Sequence, residues 1–221
     1  MVAPVTGDLL AKSKTEKLLL SLPVSYSDGV TAVSLSPSWH VIHNQTEIPS
    51  TNKWIQKLDM DMSASRYIKP ALTANFAGRF LYTNARAFLN MPDEILSVGG
   101  PGSVRAYRPS ESSGYRGWFL TGELRTDLAN WQDMSLPQWV PNIQPYVFVD
   151  HVNAREVYGQ SRRADRWSGY GIGLSVPSIF NYFSFDTYWA EPLDDDVHQQ
   201  EKEAYKDDLL QFSLSAKLQL N

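Results

Sequence analysis

One arginine of this sequence stands where a charged side chain is unexpected. Arg105 follows Val104 and precedes Ala106 and Tyr107, directly after the run 99–102, which contains three glycines and a proline. No strand or helix continues through such a run, so the tetrad belongs to a loop. A charge in a long loop is most often only a solvated surface group. The alternative is that its guanidinium pairs with a carboxylate, which lowers the cost of partly burying both charges.

Asp150 is an acid whose neighbours follow the alternation of a β-strand. Successive side chains of a strand point to opposite faces, so Asp150 shares a face with Tyr146 and Phe148. The apolar Val147 and Val149 occupy the other face. This segment is therefore predicted to separate an apolar surface from one that carries a charge.

The segment 118–128 shows the same division most clearly. Three charges on one strand face cannot enter a dry core unpaired, so this face is expected to border water. Glu123 and Arg125 could pair there. The polar face consists of Thr121, Glu123, Arg125 and Asp127, and the apolar face of Trp118, Leu120, Leu124 and Leu128.

Alternating segments of this kind fill most of the chain, with almost no helical periodicity between them. Their length of roughly 9 to 14 residues is close to the 9 to 11 that a tilted strand needs to cross a membrane. Nine are predicted, at 17–27, 31–42, 54–67, 71–83, 118–128, 146–154, 167–178, 182–193 and 209–220. Bacterial barrels have even strand numbers, so nine indicates a miscount, an incomplete barrel, or a tenth short strand within 2–10.

The connections between these segments alternate in length. Short turns are predicted at 28–29 and 69–70, and long loops at 43–52, 84–117, 155–166 and 194–208. Short turns on one rim and long loops on the other are typical of outer-membrane barrels, whereas a soluble β-sandwich predicts no such rule.

Composition narrows the class of protein further. The 221 residues carry a formal net charge of -4 and no cysteine, which disfavours a basic nucleic-acid surface and excludes disulfides and thiolate metal sites. The mean hydropathy of -0.33 fits a soluble protein or a membrane barrel equally. The first ten residues lack the pattern of a signal peptide, so targeting was removed or the chain starts within a longer protein.

Two motifs in this chain resemble those of a known family. The run Gly99-Gly100-x-x-Ser-Val-Arg-Ala-Tyr, followed by Gly-x-x-Gly and by Glu123-Leu-Arg, resembles the loop of two-partner secretion transporters. These are the haemolysin secretion/activation proteins of Gram-negative outer membranes. The run from Phe148 to Val152 is similar to their Phe-x-Asp-x-Gly strand motif, with valine in place of the glycine. The resemblance covers roughly residues 50–221.

This resemblance implies an all-β fold, an antiparallel transmembrane β-barrel of about 8–10 strands here, reduced or truncated from about 16 in the family. It implies that the loop folds into the lumen, where Arg105 pairs with Asp150. Gly169, Gly171 and Gly173 are predicted to face inward and to leave room for that loop, beneath Tyr107. Ala106 stands where the family has a glycine, as Val152 does.

The implied function is export of an unfolded partner polypeptide across the bacterial outer membrane. The implied partners are outer-membrane lipid and a secreted polypeptide, with no nucleic acid and no cofactor. Residues 1–221 are expected to form a single barrel domain or a C-terminal barrel fragment, without the family's periplasmic peptide-binding domains.

Two other interpretations stay open on the sequence. A reduced barrel of this size could act as a small pore or a structural membrane protein, and a soluble β-barrel binding module is the second alternative. An enzyme is disfavoured, because no nucleophile elbow, phosphate loop or paired metal-ligand spacing occurs. The four histidines are His40, His43, His151 and His198, and the acidic run 194–196 is at most a weak Ca²⁺ candidate.

Overall fold

The computed structural model describes residues 13–46, 53–69, 71–84, 96–109, 112–130, 142–158, 161–179, 183–193 and 209–216. Almost all of them lie in strands. The strands are β1 (Ser13–Ser21), β2 (Val24–Ser27), β3 (Thr31–Thr46), β4 (Lys53–Lys69), β5 (Leu72–Thr83), β6 (Leu96–Val98), β7 (Ser112–Gly114), β8 (Arg116–Thr126), β9 (Gln144–Tyr158), β10 (Ser161–Ile179), β11 (Phe183–Pro192) and β12 (Leu209–Ala216). A single 3-10 turn at Leu128–Asn130 is the only helical element within these ranges. No helix in them is long and apolar enough to cross a membrane.

The main sheet is an up-and-down antiparallel meander. Its order is β1-β3-β4-β5-β8-β9-β10-β11-β12, with β2 also paired to β3. The predicted all-β antiparallel class is therefore confirmed. The sheet is open in the described residues, since β1 and β12 each have one neighbour and do not pair with each other.

One face of the sheet is apolar and bare, as alternation predicts. Its side chains are large and well exposed, which a water-soluble monomer rarely tolerates over a continuous surface. The exposed set includes Val33 at 43%, Trp39 at 42%, Phe76 at 40%, Leu124 at 40%, Val147 at 50%, Val149 at 50% and Ile172 at 58%. We call this the outward face, and the opposite, partly polar one the inward face.

The core lies on the inward face of β8 to β11. Two short strands, β6 and β7, form a separate two-stranded sheet within the predicted 84–117 loop. Their residues and those of the following turns pack onto inward-facing side chains of the main sheet. The buried cluster consists of Leu81, Leu96, Val98, Val104, Ala106, Tyr107, Tyr146, Phe148, Val152, Ala154, Tyr188 and Ala190.

The predicted first strand, 17–27, is divided by Pro23. Proline has no N–H to donate to a ladder, so β1 ends at Ser21 and β2 begins at Val24. Both pair with β3 in one unbroken register, because Ser21 faces Ser38 and Val24 faces Leu35. The prediction of β-structure over 17–27 was right, but the segment is two strands and not one continuous strand.

The predicted loop at 155–166 was wrong for most of its length. β9 continues to Tyr158 and β10 begins at Ser161, with the two strands paired throughout. Strand pairing is a backbone interaction, so a charged end can extend a ladder that no apolar face stabilises. In the same way β3 reaches Thr46 and β4 begins at Lys53, which shortens the predicted 43–52 loop.

The two rims differ, though less regularly than the sequence indicates. The rim with the turn at 28–30 and the link from β4 to β5 also carries the long connection from β8 to β9, which the simple rule does not predict. The opposite rim carries the connection from β5 to β8 that contains Arg105, and we call it the long-loop rim. The predicted segments 2–10 and 194–208 lie outside the described residues.

Candidate functional site

The loop that carries Arg105 folds back on itself above the inward face. Gly99 and Gly100 adopt positive φ angles of 94° and 86°, which L side chains rarely adopt. The turn is closed by hydrogen bonds from the Gly100 N–H to the Tyr107 carbonyl, at 2.9 Å, and from the Tyr107 N–H to the Val104 carbonyl, at 3.2 Å. These bonds present the tetrad as one compact unit to the sheet.

The apolar members of the tetrad anchor the loop. Val104 and Tyr107 are 0% and 3% exposed. The ring of Tyr107 stacks on Trp167 with 4.7 Å between centroids, and its hydroxyl donates to the Ser168 carbonyl at 3.3 Å. Burial of such side chains stabilises the docked loop without any charge.

Arg105 and Asp150 form a two-pronged ion pair at the centre of the site. The guanidinium donates from Nε to Asp150 Oδ2 and from Nη2 to Oδ1, both at 2.9 Å. The Arg105 backbone N–H also donates to Oδ2, at 3.0 Å. Because the Asp150 side chain is 0% exposed, this pairing satisfies a carboxylate that has no access to water.

Strand β8 supplies the remaining partners of the guanidinium. Arg105 Nη1 donates to Glu123 Oε2 at 3.0 Å, and Nη2 donates to Thr121 Oγ1 at 2.9 Å. Thr121 in turn donates to Asp150 Oδ1 at 2.5 Å. Thr121 and Asp150 are direct neighbours in register across β8 and β9, so the sheet itself sets their spacing.

A second arginine balances the charge of the cluster. Arg125 donates from Nε and Nη2 to Glu123 Oε1, at 3.0 and 2.8 Å, and from Nη1 to Gln144 Oε1 at 3.2 Å. Two arginines therefore meet two carboxylates. A neutral, fully bonded group tolerates partial burial far better than an unpaired charge does. Burial by itself would lower the pKa of Arg105, but the hydrogen bonds and negative charges of Asp150 and Glu123 outweigh it and hold that pKa above its ordinary value.

Aromatic rings of β9 cover one side of the Arg105–Asp150–Glu123–Arg125 cluster. The Arg105 guanidinium lies 3.5 Å from the centroid of the Phe148 ring, within cation–π range. Arg125 lies 4.8 Å from the ring centroid of Tyr146, whose hydroxyl donates to Asp186 Oδ1 at 2.8 Å. The rings exclude water from one side of the ion pairs and thereby strengthen them.

The three glycines of β10 face inward and leave space for neighbouring groups, as predicted, but the group above them is not Tyr107. A Cβ on Gly169 would lie 2.5 Å from the Cβ of Ala106. A Cβ on Gly171 would lie 2.5 Å from Phe148 Cζ, and one on Gly173 would lie 2.2 Å from Tyr146 Cζ. The glycines thus form a floor on which the loop and the two rings of β9 lie.

A model of one protein family matches residues 2–176, which is most of the chain. It describes the haemolysin secretion/activation protein ShlB/FhaC/HecB. This chain belongs to the ShlB/FhaC/HecB family. Its members are outer-membrane β-barrel transporters, so the chain is an outer-membrane protein.

One solved structure supports the fold, and a second, weaker match is also found. The chain is similar to CdiB from Escherichia coli, with a TM-score of 0.64 and 18% identity over 90% of this chain and 35% of that one. It is also similar to CdiB from Acinetobacter baumannii, at a TM-score of 0.47 and 16% identity over 91% of this chain and 42% of that one. The chain therefore spans about a third of the length of the first structure. No curated protein matches.

The two departures from the family's loop and strand motifs both fit this fold. The methyl group of Ala106 is accommodated because the residue beneath it, Gly169, has no side chain. Val152 is 0% exposed and belongs to the apolar cluster under the loop. Neither substitution prevents the ShlB/FhaC/HecB loop of this chain from lying on the sheet.

Several members of the site were missed by sequence reasoning. Thr121 and Glu123 were assigned to a wet strand face, but their contact with Arg105 was not predicted. Trp167, which supports Tyr107, was not singled out either. The alternation of the sequence already placed Thr121 and Glu123 on the same face as Asp150. It did not show the register between β8 and β9, which is what brings these two side chains to Arg105. Within the described residues no group of ligands could hold a metal ion, and residues 194–196 lie outside them.

Proposed function

We propose that this chain forms part of the wall of a two-partner secretion pore, which exports a partner polypeptide across the outer membrane. The loop 99–109, packed on the inward face, is the part of that wall which the exported chain would meet. The observation that carries the proposal is the bidentate pair between Arg105 and Asp150, within a chain of the ShlB/FhaC/HecB family.

The position of the loop supports a role in controlling passage. It covers β8, β9 and β10 on the inward face, whereas the inward side of β4 is open there, with Asp61 and Ser63 exposed. A loop on one part of the wall narrows the space in front of it without filling all of it. Besides its apolar anchors, the loop is held by hydrogen bonds whose partners an incoming peptide could replace.

The chemistry of the inward face suits an unfolded peptide. Asp59 of β4 accepts from Arg79 of β5 at 2.9 and 2.6 Å, and Lys57 Nζ lies 3.3 Å from the same carboxylate. Arg79 Nε also lies 3.8 Å from Asp61 Oδ1, so this second cluster pairs two cations with two carboxylates. An inward wall with locally balanced charges offers hydrogen bonds to a passing peptide. It has no strong net electric field that would bind acidic or basic segments of that peptide and slow their passage.

Export of the partner by the protein in a Gram-negative host tests this function. Arg105→Ala is expected to lower the amount of partner polypeptide in the medium at equal abundance of the transporter in the membrane. Gly102→Ala is the matched control in the same loop, since a Cβ there meets nothing within 4 Å. Export that does not depend on this protein would contradict the proposal, and so would unchanged export by Arg105→Ala.

A further inference from the structure

We infer that the outward face of β8, β9 and β10, at the long-loop rim, binds the phosphate groups of a lipopolysaccharide-class lipid. This inference goes beyond export, because it concerns the surface that faces the membrane. It rests on the outer-membrane location of the chain and on three arginines that the site above does not use.

The three arginines are neighbours in the sheet. Arg116 of β8 lies directly opposite Arg155 of β9. Arg166 of β10 lies opposite Asn153, two residues along from Arg155, and is therefore its diagonal neighbour. Directly opposite residues have Cβ atoms about 5 Å apart, and diagonal ones about 7 to 8 Å, so one phosphate can reach two guanidinium groups.

Strand parity places all three on the outward face. Asp150, Val152 and Ala154 of β9 are buried on the inward side, so Arg155 alternates to the outside. On β10 the inward Trp167 stacks on the docked loop, so its neighbour Arg166 points outward. The guanidinium of Arg116 lies 4.9 Å from the ring centroid of Tyr82, which is 47% exposed on the outward face.

Among the described side chains, none provides a counter-charge for this arrangement. Like charges that stand directly opposite each other in a sheet are destabilising. Arg116 donates from Nε to the Thr83 carbonyl at 2.6 Å, which fixes its side chain but does not neutralise it. Arg155 and Arg166 are exposed, and no carboxylate of the described residues pairs with either. An external anion would relieve the repulsion.

From the arginines towards the middle of the sheet, the outward side chains change from charged to polar to apolar, which matches the polar head group and acyl chains of a lipid. Along β10 the outward residues change from Arg166 to Ser168, then to Tyr170 and Ile172. Tyrosine is enriched where a bilayer meets water, and Ile172 is 58% exposed for acyl chains. The arginines thus lie at head-group level on the rim that carries the long loops, which faces the cell exterior in such barrels.

The same gradient runs along β9. From Arg155 it passes through Asn153 and His151 to Val149 and Val147, both 50% exposed. A phosphorylated glycolipid has the same order, with its phosphate groups at the membrane surface and its acyl chains in the membrane interior. Free phosphate would require only the upper part of this surface.

One acid on the outward face limits where the phosphate lies. Glu191 of β11 stands opposite Tyr170 and accepts a hydrogen bond from its hydroxyl. A carboxylate on that side would repel an anion. The phosphate site is therefore placed on the β8–β9 side of the patch, nearer to Arg116 and Arg155 than to β11.

Lipid binding by the purified full chain in detergent micelles tests the inference. Native mass spectrometry would measure the retention of added lipopolysaccharide, of the same lipid after enzymatic removal of its phosphates, and of inorganic phosphate. We expect the wild-type protein to retain the intact lipid at least about tenfold more strongly than the dephosphorylated one. Inorganic phosphate at millimolar concentration is expected not to displace it.

Variants then locate the site. Arg155→Gln together with Arg166→Gln should lower lipid retention about tenfold, whereas Arg155→Lys with Arg166→Lys should keep most of it. Arg66→Gln is the matched control, because Arg66 is exposed on the outward face of β4 near the opposite rim. Heat-dependent gel mobility shows whether each variant is folded.

Three results would overturn the inference. The first is equal retention by the wild-type protein of intact and dephosphorylated lipid, which requires no variant. The second is unchanged retention by the folded double glutamine variant. The third is displacement of the lipid by inorganic phosphate, which would show a site for free anions instead.

Discussion

Arg105 and Asp150 meet through three hydrogen bonds, two from the guanidinium and one from the arginine's own backbone amide. The aspartate therefore holds both the side chain and the main chain of the loop. A lysine at position 105 would keep the charge but lose the two-pronged geometry. This double attachment determines how the loop should respond to substitution.

The pair should behave as a unit in a double-mutant cycle. Asp150→Ala removes all three bonds, and Arg105→Ala leaves a carboxylate with 0% exposure without its cation. Each change is expected to destabilise the docked loop by up to about 3–5 kcal/mol, and the double variant should be little worse than either. Protease protection of the loop 99–109 measures this, and fully additive losses would rule out direct pairing.

Glu123 should matter less than Asp150, although both carboxylates contact Arg105. Its side chain is 14% exposed, so water can replace part of the stabilisation that is lost with the carboxylate charge in Glu123→Gln. That variant leaves two arginines with one carboxylate. We expect a loss of about 1–3 kcal/mol, partly recovered in high salt, which screens the excess positive charge. Loop protection at low and high salt is the measurement, and a loss larger than that of Asp150→Asn would contradict this order.

Gly169 should not tolerate a side chain unless the loop gives way. Gly169→Ala would place its Cβ 2.5 Å from that of Ala106, at a cost of about 1–3 kcal/mol. Ala106→Gly should recover most of that loss, since it removes the opposing methyl group. Thermal unfolding of the two single variants and the double variant provides the test. Absence of any recovery would show that the two positions are not in contact.

Asp28 should make the β2–β3 turn sensitive to acid. The backbone amides of Thr31 and Val30 donate to its carboxylate at 2.6 and 2.9 Å and hold its pKa below the ordinary value. The contribution of a lowered pKa is present above the unfolded pKa of about 3.9 and is lost as the pH falls through the folded pKa. Hydrogen exchange at both amides should therefore accelerate, relative to its intrinsic rate, below about pH 4.

Asp28→Asn is the control for that experiment. Asparagine keeps an acceptor oxygen in the same turn and does not titrate. Its relative exchange rates should not change over the same pH range. A wild-type protein whose protection stays constant through that range would show that the carboxylate does not stabilise the turn.

Most of the fold was predictable because alternation is a local property. Each strand of the main sheet overlaps a predicted strand segment, and where the sequence assigned two faces, the described side chains lie on them; 182–193, which became β11, was predicted only as an aromatic-rich strand. The exceptions were non-local. The interruption at Pro23 leaves the register intact, and the charged ends of β9 and β10 continue as strands because each has a partner.

The sequence by itself determined the class of the protein, the two faces of its strands and the identity of the central pair. Residue types and a two-residue period are sufficient for these, and a motif of this specificity indicates the family. Only the tertiary structure decided that Glu123 and Thr121 complete the partners of Arg105, that Gly169 lies beneath Ala106, and that three arginines gather on the outward face. These depend on strand register and on the path of a loop, which bring together residues that no pattern along the chain connects.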